Sequence, residues 1–171
     1  EITTRLVGSE MCIRDRYINS TNIAVDSSIN FYLSKAAKLN TKLSLSIAVP
    51  PDIFVSDLDI SITLGNLLSN AIEALEKLQD DTERKLSVSI LYKMSTLYLE
   101  IKNTFSGSLK KIDKVTFKST KKDSRNHGYG LSNVNEVVEK YDGISSFTTE
   151  GNWFIVNITL FSEKKNSQLQ E

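Results

Sequence analysis

Leu64–Leu75 reads LGNLLSNAIEAL, and how these residues wind decides the fold. At about 3.6 residues per turn they separate into two faces. Leu64, Leu67, Leu68, Ala71, Ile72 and Leu75 make an apolar stripe, and Asn66, Asn70, Glu73 and Lys77 line the opposite side. Asparagine is a poor helix former, because its amide competes for backbone partners. Two of them one turn apart, followed by a carboxylate, admit two explanations. One is an ordinary amphipathic helix with a wet polar face. The other is a row of oxygen ligands for a metal-bound polyphosphate.

Outward from this helix, periodicity predicts the remaining elements. Val25, Ile29, Leu33 and Ala36 recur at helical spacing between Thr21 and Leu39, with Thr21 or Asn22 as the cap. Lys42–Val49 alternates as a half-buried strand and stops at Pro50-Pro51. Ser56 followed by Asp59 starts the central helix, expected over Asp57–Leu78. Lys85–Lys93 and Leu97–Asn103 read as a hairpin turning at Met94–Thr96. Period two puts Asn103 in phase with Leu97, Leu99 and Ile101, so its amide is expected on the core side. A buried amide needs partners. It is either a turn residue at a strand end or a base-reading group.

Ser106–Asn126 lacks clear periodicity and carries Lys110, Lys111, Lys114, Lys118, Lys121, Lys122 and Arg125. It is either a solvated basic loop or a lid over an anion. Next comes HGYGLSNVNEVVEKYDG, with Gly128 and Gly130 expected before a helix whose stripe is Leu131, Val134, Val138 and Tyr141, closed by Gly143. Glycine permits close backbone approach, and helix N-terminal amides favour phosphate. Ile144–Thr149 and Trp153–Phe161 form a last hairpin, and Ser162–Glu171 is a polar tail.

Composition bounds the function. The chain has 171 residues, 40% hydrophobic and 25% charged, with formal net charge +0, which suits one soluble domain with a full core. The charge balance argues against nucleic-acid binding and against a polybasic membrane anchor. One cysteine, Cys12, and one histidine, His127, rule out an internal disulfide and a cysteine or histidine metal cluster. Leu6–Arg16, LVGSEMCIRDR, resembles the translation of a transposon-type sequencing adaptor. Residues 1–16 are therefore set aside from the fold, and the protein itself is expected to continue upstream of Tyr17.

The element order is not that of a Rossmann unit, and no GxxxxGK[ST] loop is present. LGNLLSNAIEAL with STKKDSRNHGYGLSNV, in this order and spacing, resembles the GHKL ATP-binding domain over residues 17–161, closest to quorum-sensing peptide-receptor histidine kinases. The resemblance implies an α+β two-layer sandwich with a mixed, mostly antiparallel sheet covered on one face by about three helices. It implies ATP and Mg2+ as ligands and a lid over about 106–127. Residue by residue, it implies Asn70 as the magnesium ligand, Asn66 as a phosphate-side contact and Glu73 as a supporting partner. Asn103 stands where the family usually has an aspartate that accepts from the adenine amino group. It implies Gly128 and Gly130 as the second glycine box, Tyr129 and Leu131 as neighbouring nucleotide contacts, and Lys121 or Lys122 as the lid residue that reaches the outer phosphates; His127 is a lid or nucleotide contact or else an exposed turn residue. The first glycine box is eroded, with NTFSG in place of DxGxG.

Position 66 bears on the reaction class. Water-hydrolysing relatives carry a glutamate there, whereas the amide of Asn66 cannot accept a proton, which disfavours hydrolysis. Transfer to histidine needs no base on this helix. The expected partners are dimerisation and phosphotransfer helices, a second copy of the kinase joined through that upstream region, and a response regulator. The expected setting is the cytoplasmic side of a membrane-anchored protein. The alternatives are another GHKL hydrolase or serine kinase, and a non-catalytic interaction module.

Overall fold

The computed structural model describes residues 18, 20–106, 115–118 and 129–162, the side chains of 115–118 and 129–130 excepted. In chain order these form α1 (Ile23–Lys38), β1 (Lys42–Ala48), α2 (Asp57–Glu76), β2 (Lys85–Lys93), β3 (Thr96–Thr104), β4 (Val115–Lys118), α3 (Tyr129–Lys140), β5 (Ile144–Glu150) and β6 (Trp153–Phe161).

The sheet has the order β1-β2-β3-β6-β5-β4. Only β1 and β2 run parallel among its pairs. Their connection passes through α2, as a parallel crossover requires. The register stacks apolar residues in rows across the strands. One row runs Leu45, Val88, Ile101, Val156, Phe147, and the next Ile47, Ile90, Leu99, Ile158. On β2, β3 and β6 these positions are buried. The opposite face carries Tyr98, Glu100 and Lys102, the last two joined at 3.0 Å. The helices lie on the apolar face, with α2 against β3 and α3 against β5 and β6. This is the α+β sandwich, with a mixed sheet and three helices, that the family resemblance implies.

Local chemistry sets the helix ends. The Asn22 side chain caps α1 by accepting from Val25 N–H, and its amide donates to the Pro51 carbonyl at 2.9 Å. Leu33, Leu64, Leu68 and Leu75 are buried between α1, α2 and the sheet, each worth roughly 1.5–3 kcal/mol of transfer free energy. The Arg84 guanidinium donates to the Leu75 and Leu78 carbonyls at 3.1 and 2.8 Å, placing a cation at the end of α2. α1 and α3 end alike. Asn40 and Asp142 take positive φ, and the next N–H reaches back to Ala36 O and Val138 O respectively.

Three details differ from the sequence reading. Residues 115–118, expected inside an unstructured lid, form β4 against β5; VTFK alternates, but a four-residue strand is too short to show a period. Gly130 lies within the first turn of α3 rather than before it, because the helix opens at Tyr129. The left-handed residue that closes α3 is Asp142, not Gly143. Gly143 is needed for space, since a Cβ there would come within 2.6 Å of the Thr159 carbonyl and 2.8 Å of Leu160 Cδ2.

Candidate functional site

A pocket of about 180 Å³ opens between α2 and the central strands β3 and β6. One wall is the stripe Leu67, Asn70, Ala71, Ala74 of α2, one helix face at spacings of three and four. The two alanines are the small residues that leave room beside the sheet. The other wall is Ile101, Asn103 and Phe105, with Phe154 and Val156 of β6 paired opposite. Leu131, in the first turn of α3, closes one end. The first-turn amides of α3 have no intrahelical acceptor, and the helix dipole gives them positive character. The lining is apolar with few convergent polar groups, as small-molecule sites usually are.

Asn103 is the polar member of an otherwise apolar row, between Leu86 on β2 and Phe154 on β6. It is 3% exposed, on the core side as its alternation predicts. Its Nδ2 donates to the Thr104 carbonyl at 3.1 Å. That bond uses one of the two Nδ2 protons and leaves Oδ1 with acceptor capacity. Thr104 is fixed in turn: its hydroxyl accepts from Lys85 N–H at 2.9 Å and donates to the Glu83 carbonyl at 3.2 Å. Phe105 donates its N–H to Asn152 O, and its ring meets Phe154 edge-on at 6.4 Å. The sequence reading passed over Phe105, although it continues the 101, 103 phase of β3.

Asn70 is exposed on α2 and lines the same pocket as Asn103. Asn66, one turn earlier, is half-buried and is not among the lining residues. Its Nδ2 donates to the Ile62 carbonyl of its own helix at 2.8 Å. Glu73 accepts from Lys77 Nζ at 2.6 Å, both side chains facing solvent; this bond holds the Glu73 carboxyl below its ordinary range. Lys121, Lys122, His127 and Gly128 lie outside the described residues, as do residues 1–16, Gly107 and most of the expected lid. Tyr129 and Gly130 are described as helical backbone only.

No group of three or more His, Cys, Asp or Glu among the described residues is placed to hold a metal. The Asn70 amide oxygen suits magnesium, which takes hard oxygen donors and keeps several waters alongside phosphate oxygens. The donor set therefore fits a metal arriving with a nucleotide and not one held by protein alone.

A profile of the GHKL domain family matches residues 55–161, the span from the start of α2 to the end of β6. The chain belongs to the GHKL family. GHKL domains bind ATP, generally with Mg2+, and the pocket described above lies within the matched span. The histidine kinase AdeS of Acinetobacter baumannii has a similar structure, with TM-score 0.60 and 17% identity over 82% of this chain and 64% of that one. The catalytic domain of histidine kinase ThkA gives 0.57 at 13% identity, over 81% of this chain and 90% of that one. The mycobacterial sensor histidine kinase MprB gives 0.52 at 14%, over 81% and 91%. At these identities the likeness is one of fold. This chain spans just under two thirds of the AdeS structure. No curated protein sequence matches this GHKL domain, and no helix among its described residues is long and apolar enough to cross a membrane.

The structure also joins residues that the sequence reading left apart. Asp59, in the first turn of α2, is 6% exposed. Its Oδ2 accepts from Ser56 Oγ at 2.6 Å, Lys140 Nζ at 2.7 Å and Tyr141 OH at 2.6 Å. Tyr141 OH accepts in turn from Ser56 N–H at 3.0 Å, and its ring packs edge-on against Phe54. Burial pushes the Asp59 carboxyl up, but hydrogen bonds from Lys140, Ser56 and Tyr141 outweigh it and hold the group below its ordinary range. The same bond raises Lys140. These residues fasten the start of α2 to the end of α3. No local signal could have revealed this, since Lys140 is 81 residues from Asp59.

Proposed function

We propose that this GHKL domain is the ATP-binding catalytic domain of a two-component sensor histidine kinase. It holds Mg-ATP in the pocket between α2 and β3 and presents the terminal phosphate to a histidine on dimerisation helices outside this chain. The observation that carries the reading is that Asn70 and Asn103 line one pocket from opposite walls, with the first turn of α3 at its end.

In this reading Asn103 and the apolar walls take the base, Asn70 supplies an oxygen to the metal, and the α3 amides meet the phosphates. Magnesium supplies charge neutralisation; phosphoryl transfer otherwise needs positioning more than covalent help from the protein. The Asn66 amide is bound to Ile62 O and has no basicity to activate water. This supports transfer to a histidine ring nitrogen over hydrolysis. Lys121, Lys122, His127, Gly128 and Tyr129 are proposed contacts on the phosphate side. The full kinase is proposed to be a membrane-anchored dimer of the quorum-sensing receptor type that passes its phosphoryl group to a response regulator in the cytoplasm.

Calorimetry of the 171-residue chain with Mg-ATP tests the binding reading, and the expected result is saturable heat with a thermal upshift. Millimolar ATP giving neither would leave a non-catalytic module. With labelled ATP, this chain alone should neither label itself nor release phosphate steadily. Steady release that Asn66→Ala abolishes would make the domain a hydrolase.

A further inference from the structure

Strand β1 is one edge of the sheet, and no described residue pairs with its outer side. The Lys42 N–H donates to the Arg84 carbonyl at 2.8 Å, with Lys42 standing opposite Lys85. In a parallel ladder alternate residues face the partner strand. Lys42, Ser44, Ser46 and Ala48 therefore use their peptide groups on β2, and the N–H and C=O groups of Leu43, Leu45 and Ile47 point outward. Among the described residues nothing bonds to them. Natural sheets blunt such an edge with a charge, a proline or a bulge. From Leu43 to Ala48 there is no charge and no proline, and the register with β2 runs unbroken. We propose that this edge is a self-association surface, on which β1 pairs antiparallel with β1 of a second copy of this chain about a two-fold axis through Leu45. The inference is independent of the nucleotide-binding reading.

The edge is complementary to itself. With Leu45 opposite its symmetry mate, Leu43 stands opposite Ile47 of the second copy, and each such pair exchanges both N–H···O bonds. Every outward group of Leu43, Leu45 and Ile47 is then satisfied. A shift of one residue sets odd positions against even ones and satisfies none of them. The side chains match as well. From Leu45 the strand reads alike in both directions, with serine at 44 and 46 and Leu43 answering Ile47. An axis perpendicular to the sheet keeps both helix layers on one side, as an isologous contact requires. Half-buried Leu43, Leu45 and Ile47 then extend the apolar face, and exposed Ser44 and Ser46 meet their counterparts on the other. Charge does not oppose the contact, because a formal net charge of +0 creates no long-range repulsion between copies. One strand pair buries a small area, so the association is weak and reversible.

The test combines sedimentation equilibrium of the 171-residue chain with amide exchange followed by NMR. The mass should rise reversibly from one chain towards two as the concentration is raised to about 1 mM, as for a small transient interface. Over the same range exchange at Leu43, Leu45 and Ile47 should slow, while Ser44, Ser46 and Ala48, already bonded to β2, stay protected throughout. Ser44→Lys with Ser46→Lys places lysines opposite one another across the axis and should weaken association at least about tenfold, since like charges directly opposite repel. Ser44→Lys with Ser46→Glu places a lysine opposite a glutamate and should restore it. Both serines are exposed in the single chain, and thermal melts check that the variants fold. A single mass at every concentration would overturn the proposal. So would association that the two lysines leave unchanged, or that the lysine and glutamate weaken as much as the two lysines do. Slow exchange of the three outward amides already in the dilute chain would mean that the chain covers its own edge, and would overturn it too. If the variants fail to fold, the concentration dependence of exchange at those three amides decides alone.

Discussion

The seam between α2 and α3 is closed at one end and open at the other. At the closed end Ser56, Asp59, Lys140 and Tyr141 bond to one another around a buried carboxylate oxygen. At the open end Asn70 and Leu131 face a pocket, with Asn103 pinned by one hydrogen bond on the far wall. The same two helices therefore serve two ends with opposite requirements. The polar groups of the closed end are paired within the protein, whereas the two amides of the open end, proposed to meet a ligand, keep bonding capacity in reserve. Such a site sits on rigid elements because the closed end fixes how α2 and α3 lie.

The largest effect should come from removing the amide proposed to meet the metal. Asn70→Ala should lower Mg-ATP affinity at least a hundredfold, about 2.8 kcal/mol. The melting temperature should hold or rise slightly, since Asn70 is exposed and alanine is the better helix former. Calorimetry with parallel thermal scans checks both. If affinity held, the open end would not be the nucleotide site.

Asp59→Ala attacks the other end. It removes a reciprocal helix cap and leaves Tyr141 OH short of an acceptor, so about 2 kcal/mol of stability should be lost, with nucleotide affinity falling much less. The pH dependence has a definite sign. The Asp59 carboxyl lies lower in the folded chain than in the unfolded one. Its contribution is thus present above the unfolded value of about 4 and lost as pH falls through the folded one. Urea melts between pH 6 and pH 3 should show wild type losing its advantage over Asp59→Asn as the medium becomes acid.

The two ends also differ in how far the sequence revealed them. The asparagine spacing on α2 left Asn70 with two readings, a wet helix face or a ligand row, and the period-two phase of β3 put Asn103 on the core side, because side-chain direction follows from local geometry; the roles of both come from the family resemblance. The elements were legible for the same reason: the alternation of Leu43, Leu45 and Ile47 and the stripe of Leu64, Leu68 and Leu75 are local signals of burial, while the way the elements pack came from the family resemblance. The closed end was invisible. Ser56 and Asp59 announced a helix start, but their partners across the seam are set by tertiary packing. Strand β4 was missed because edge pairing with β5, not its own pattern, defines it. Asn66 matched the spacing of Asn70 yet spends its amide on its own helix, a competition that periodicity cannot see.

Gly143→Ala probes the closed end from behind. The added Cβ would meet the Thr159 carbonyl at 2.6 Å and Val138 O at 3.1 Å, backbone atoms that cannot swing aside. Its cost should be about 1–2 kcal/mol, read as a lower urea midpoint. A substitution at Gly151 gives the contrast. There the strain is conformational, at φ +58, with nothing within 4 Å, so Asn should be tolerated where Ala is not.

The smallest effect should be at Glu73, which marks where the open end stops. The family resemblance makes it a supporting partner of Asn70, but its carboxylate is bound by Lys77 at 2.6 Å on an exposed helix face. An exposed pair of this kind contributes little to stability and is screened by salt. Glu73→Gln should therefore leave the melting temperature unchanged. It should alter Mg-ATP affinity by less than about threefold, the effect of one distant surface charge. A tenfold loss with unchanged melting would mean that the carboxylate leaves Lys77 when nucleotide binds and turns toward Asn70. The boundary of the site would then move one turn further along α2, and Lys77→Ala, by freeing Glu73 in advance, should then strengthen binding.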